Sequence, residues 1–215
     1  MKNKMNALLS VSAALALLAG SAAAQVGANR DNLLNANLST AAELSALAQL
    51  DDAAVHALMQ GRPFLTMAAV HAVVSEHVAA GDIEALYRTF WLPINLNDVT
   101  GEEVLLIPGV GDRMAKEFDE YAPYVALPVF EREMGKYVDD DEVARLAQYV
   151  FVPLDLNTAT SEQIHTIPGA GQKMAHEFDE YRPWWAKAQF EREIGKYVDD
   201  SEVARLWRYV VIAGN

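Results

Sequence analysis

A 60-residue period constrains this chain more than any other feature. "IPGVGDRMAKEFDEY" from Ile107 and "IPGAGQKMAHEFDEY" from Ile167 agree at 11 of 15 positions. Further on, "FEREMGKYVDDDEVAR" from Phe130 meets "FEREIGKYVDDSEVAR" from Phe190 at 14 of 16. The same register upstream reads "LAQLDDAAVHALMQG" from Leu47, where Gln49 and Asp51 stand in place of the two glycines. Three units follow without a gap, at 34–93, 94–153 and 154–213, with Asn37, Asn97 and Asn157 aligned through all of them. A period of this length is one supersecondary unit repeated and stacked. A 60-residue unit is marginal by itself, so neighbouring units are expected to share contacts.

Within a unit the signals are helical. Thr40-x-x-Glu43, Thr100-x-x-Glu103 and Thr160-x-x-Gln163 fit the capping box, in which a hydroxyl accepts from an orphan helix amide and the third residue reaches back. A short first helix runs to Leu47, Ile107 or Ile167. Pro108-Gly109-Val110-Gly111 and Pro168-Gly169-Ala170-Gly171 break it in the last two units. A second helix carries Met114, Ala115, Phe118 and Tyr121 on one stripe, the spacing of an amphipathic helix. A third is expected from Phe130 or Phe190 to Tyr137 or Tyr197. Asp139 and Asp199 open a fourth. The expected fold class is all-α, in tandem four-helix units without strands.

The start of the chain, with Lys2 and Lys4, an apolar run from Ala7 to Ala19, then Ala22-Ala23-Ala24, has the order of a secretory signal peptide over 1–24. The expected product is exported, periplasmic or secreted, and spans no membrane once the signal is removed. There is no cysteine, so packed cores have to supply the stability. Net charge is −13, which becomes −15 without the two lysines, and by unit it is −4, −8 and −3. A surface this acidic repels nucleic acid at long range.

The hairpin explains why two glycines recur. The first permits positive φ at the end of helix one. The second is expected to let the backbone come close to whatever lies against it. The turn presents the N-terminus of helix two, whose free amides and positive dipole end suit a phosphate. Such contact is indifferent to base sequence.

"LNTATSEQIHTIPGAGQKMAHEFDEYR" resembles the helix-hairpin-helix module of exported DNA receptors of the competence protein ComEA type. The "FEREIGKYVDD" portion resembles the second hairpin of that paired module. The resemblance covers the second and third units well and the first only in register. It implies sequence-nonspecific binding of double-stranded DNA through the backbone of Gly109, Val110, Gly111, Gly169, Ala170 and Gly171, assisted by Arg113, Lys116 and Lys173. Asp112, directly after the second glycine, departs from the family pattern and would compete with a phosphate, whereas Gln172 would not. The same double hairpin also serves as a protein–protein module, so an envelope protein partner is the second expectation.

No other motif carries chemistry. The acidic run Asp139 to Glu142 lacks the alternating acids and distant glutamate of a calcium loop and reads as a helix cap. His56, His71, His77, His165 and His176 show no repeated metal spacing. Trp184-Trp185 reads as packing or a partner patch. No nucleophile–base arrangement or nucleotide loop is present, so the expectation is a non-enzymatic protein without cofactor or metal.

Overall fold

The computed structural model describes residues 33–213, and the signal-peptide reading lies outside them. One order of elements occurs three times. The first set is β1 (Leu34–Asn35), α1 (Ala41–Ser45), α2 (Asp52–Gln60), α3 (Met67–His77), α4 (Ala80–Tyr87) and β2 (Phe90–Trp91). The second is β3 (Ile94–Asn95), α5 (Gly101–Val104), α6 (Asp112–Glu120), α7 (Leu127–Met134), α8 (Asp140–Ala147) and β4 (Val150–Phe151). The third is β5 (Leu154–Asp155), α9 (Ser161–Ile164), α10 (Gln172–Glu180), α11 (Lys187–Ile194), α12 (Asp200–Trp207) and β6 (Val210–Val211). No helix among the described residues is long and apolar enough to cross a membrane.

The fold is helix-rich, but not strand-free as expected. Each set closes on a parallel ladder of two-residue strands: Leu34 pairs with Phe90, Ile94 with Val150 and Leu154 with Val210. Two residues are too few to show the alternation by which a strand is recognised. α7 and α11 also begin three residues before Phe130 and Phe190, led by Ala126 and Ala186 in extended conformation.

The aligned asparagines staple each set. Asn97 donates from Nδ2 to Tyr124 O (2.8 Å) and accepts from Tyr124 N (2.6 Å). Asn37 does the same with Phe64, and Asn157 with Trp184. A side-chain amide that satisfies both backbone groups of a residue 27 positions away ties the first strand to the loop before the third helix. Phe118 and Tyr124 both meet Phe130 edge-to-face beneath that loop, at centroid distances of 5.0 and 5.6 Å.

Contacts between sets are specific. The buried residues of the first two form one core, bridged by Trp91, which packs edge-to-face on Tyr149 and donates from Nε1 to Tyr149 O (2.9 Å). The third set has its own core, from Leu154 to Val210, joined by Phe151 of β4. Thr40 and Thr160 form complete capping boxes, whereas Thr100 forms half of one. The Glu103 carboxylate instead accepts from Ala68 N (3.0 Å) in the first turn of α3. In the next junction the residue matching Ala68 is Pro128, which has no amide proton, and Gln163 closes its own box on Thr160 N. The third set reaches back through Arg208, whose Nε donates to Leu65 O (3.0 Å) and Nη2 to Pro93 O (2.7 Å).

Candidate anion-binding hairpins

The two glycine turns are built alike. Gly109 and Gly169 both have φ +79°, the left-handed conformation, in the turns that join the short helices α5 and α9 to the helices that follow. Val110 N then donates to Ile107 O and Ala170 N to Ile167 O, each at 3.0 Å, so both turns are closed by their own backbone. The Val110 and Ala170 amides thus already donate within their own turns. The tightness of the turn that aims the next helix is what uses them.

Gly111 and Gly171 are the N-caps of α6 and α10, extended at φ −112° and −80°. A Cβ built on either meets nothing within 4 Å. These glycines border open space, and no other part of the described chain lies against them. No side chain caps α6 or α10. The first amides of a helix have no acceptor inside it, so the amide ends of α6 and α10 face outward. At the same register in the first set, Asp51 caps α2 and its carboxylate accepts from Ala54 N at 2.8 Å. An acid of the chain itself occupies the end that the glycines leave open.

The expected cations do not converge. Arg113, Lys116 and Lys173 are all exposed. Arg113 lines a groove of about 360 Å³ with Gly111, Glu117 and Tyr137, while Lys116 lines a different one with Val104 and Asp119. Lys173 Nζ sits 5.0 Å from the centroid of the Tyr197 ring. Beside these positions lies a repeated polar cluster. Tyr121 and Tyr137 share a hydroxyl hydrogen bond of 2.8 Å, and Tyr181 and Tyr197 one of 2.9 Å. The bond to Tyr181, reinforced by Glu177, raises the Tyr197 hydroxyl above its ordinary value and keeps it neutral. Glu177 is buried at 6% exposure, so the open end of α10 is flanked by a buried acid as well as by Lys173.

The residues that set the turns were missed by the sequence reading. Arg205 of α12 is held by the Glu202 carboxylate, with Nε and Nη2 bonds of 2.6 Å each, and its Nη1 donates to Pro168 O. Its Nη2 lies 2.9 Å from where a Cβ on Gly169 would stand. Arg145 of α8 is held likewise by Glu142, at 2.6 and 2.7 Å, but its buried Nη1 has no partner. Asp139 and Asp199 cap α8 and α12 as read, accepting from Glu142 N and Glu202 N. A signal did exist. Glu142/Arg145 and Glu202/Arg205 become Asp82/Ala85 in the one unit that also lacks the glycines. The third turn is further covered from the first set, since a Cβ on Gly169 would stand 3.3 Å from Leu38.

Fold and site together define a class: a helix-rich protein of three linked sets whose second and third carry glycine turns with open helix ends. No protein-family model, curated protein or solved structure matches the chain.

Proposed function

We propose that this chain is a tandem helix-hairpin-helix protein, exported and non-enzymatic, that binds double-stranded DNA without sequence preference by seating backbone phosphates on the α6 and α10 ends. The observation that carries this reading is the contrast at one register. Asp51 closes α2 with its own carboxylate, whereas Gly111 and Gly171 leave α6 and α10 uncapped with space in front of them. An uncapped helix N-terminus beside a glycine accommodates an anion. With Gln172 rather than an acid at its first position, α10 is the stronger of the two ends. Acid near the sites and the net charge of −13 make the binding weak.

Fluorescence anisotropy of residues 25–215 with a duplex at low salt tests the reading. Arg113, Lys116 and Lys173 are the cations invoked, so the slope of log K against log salt should be shallow, about −3. Absence of binding at low salt overturns it.

A second reading has its own observation. The Gly169 turn lies against Leu38, and Pro108, Gly109 and Val110 line a cleft of about 540 Å³ with His71 and Tyr87 of the first set. Turns that already serve contacts between sets suit an envelope assembly subunit that holds a protein partner. Recovery of one stoichiometric partner from an envelope fraction, with no DNA binding, would favour it.

A further inference from the structure

The junction between the second and third sets carries an open groove of about 550 Å³, lined by Val125, Pro153, Leu154, Asp155, Thr158 and Val211. Sixty positions earlier these residues read Leu65, Pro93, Ile94, Asn95, Asp98 and Phe151, all of which but Pro93 line a groove at the first junction. There Trp207 and Arg208 of the third set wall the groove and narrow it to about 300 Å³. Arg208 Nε donates to Leu65 O, its Nη2 donates to Pro93 O, and its guanidinium lies 5.0 Å from the Phe151 ring centroid, with Trp207 beside it. At the second junction the matching carbonyls, Val125 O and Pro153 O, accept no hydrogen bond from the described residues.

We propose that this second groove docks a partner protein segment in which an aromatic residue precedes an arginine, seated as Trp207–Arg208 is seated at the first. Two backbone carbonyls set apart by the same repeat geometry suit the fork of a guanidinium, which lysine cannot match. The Asp155 carboxylate is already committed, accepting from Asn157 N, Ala213 N and the Thr158 hydroxyl, so the carbonyls do the recognising. The net charge of −13 favours a cationic partner. A second copy of the chain cannot supply the segment intact, because its own Trp207–Arg208 is occupied. Val211 in place of Phe151 removes the aromatic face, so binding is weaker than in the intramolecular case.

The probe is acetyl-Trp-Arg-amide, titrated into the isotope-labelled protein and followed by amide chemical shifts. Expected are saturable shifts confined to Val125, Leu154, Asp155 and Val211. They weaken at least tenfold with acetyl-Trp-Ala-amide, or when Thr158→Trp fills the groove in a protein of unchanged spectral dispersion. Arg208→Ala frees the Leu65 and Pro93 carbonyls and adds a second, weaker set of shifts at Leu65 and Asn95. Saturating duplex DNA leaves the titration unaltered, which separates this site from the hairpins. Equal response to both probes, or none at about 10 mM, overturns the proposal. So do shifts at the same amides on simple dilution of the protein, which would assign the groove to a second copy.

Discussion

Arg205 binds the carbonyl of Pro168, 37 residues away, and so fastens the last helix of the third set to its glycine turn. Its side chain is 4% exposed, against 29% for Arg145, whose Nη1 finds no acceptor in the second set. Two turns of nearly identical sequence are therefore held unequally. The third is latched by Arg205 and shielded by Leu38, whereas the second is held more loosely.

Arg205→Ala strips Glu202 and Pro168 O of their donor at a buried place and is expected to cost about 2–4 kcal/mol. Arg145→Ala forfeits the contacts with Glu142 and the Tyr149 ring but no bond to the turn, and costs about 1–2 kcal/mol. Urea unfolding of both variants measures the difference. Equal losses would contradict the unequal latch.

Gly109→Ala forces a side chain into left-handed backbone at about 1–2 kcal/mol. Gly169→Ala pays that and also meets Arg205 and Leu38, so its melting temperature should fall further. Gly111→Ala, in extended backbone beside open space, meets no clash and should lose only the fraction of a kcal/mol, up to about 1, by which alanine is the poorer N-cap.

Gly171→Asp places at α10 the cap that Asp51 provides to α2. Helix stability should rise by a few tenths of a kcal/mol. Duplex affinity should fall about threefold to tenfold, because a carboxylate now competes for the helix end. Gly111→Asp should matter less, since Asp112 already stands beside that end. Anisotropy titrations of the two variants at low salt give the comparison.

Glu103→Ala removes the acceptor for Ala68 N and should loosen the first junction by about 1–2 kcal/mol. Glu103→Gln retains a carbonyl acceptor and should recover most of the loss. Hydrogen exchange of the Ala68 amide reports the contact directly: it should quicken in the alanine variant and not in the glutamine one.

The hydrogen bond from Arg145 holds the Glu142 carboxyl below its ordinary 4.5. A carboxylate depressed in the folded state contributes stability that is full above the ordinary value and is lost as pH falls through the lowered one. The unfolding midpoint should thus stay level from neutral pH to about 5 and drop below about 4.5. Glu142→Gln should be less stable at pH 7 and lose less in acid.

What could be read locally was read well. Thr40 and Thr160 cap where expected because a capping box spans only four residues, and Gly109 and Gly169 take positive φ because the turn demands it within three. Asp139 and Asp199 cap α8 and α12 for the same reason. The ladders escaped notice because a two-residue strand leaves no periodic trace. That Val110 N and Ala170 N donate within their own turns was not legible, since it depends on how the turn closes. The Glu142–Arg145 and Glu202–Arg205 pairs were visible as residues, but their reach to the turns was not.

The sequence by itself determined the period, the helix starts, the sites of the glycine turns and the register at which Asp51 replaces one of them. Each depends on residues a few positions apart, where propensity and capping act without regard to the rest of the chain. Only the tertiary structure decided that Glu103 caps a helix in the neighbouring set, that Arg208 bonds two carbonyls of one junction groove while the repeat of that groove lacks such a partner among the described residues, and that Leu38 shields one glycine turn. Those contacts link residues 35 to 143 positions apart, and which partners meet is settled by how the three sets pack, which no local pattern encodes.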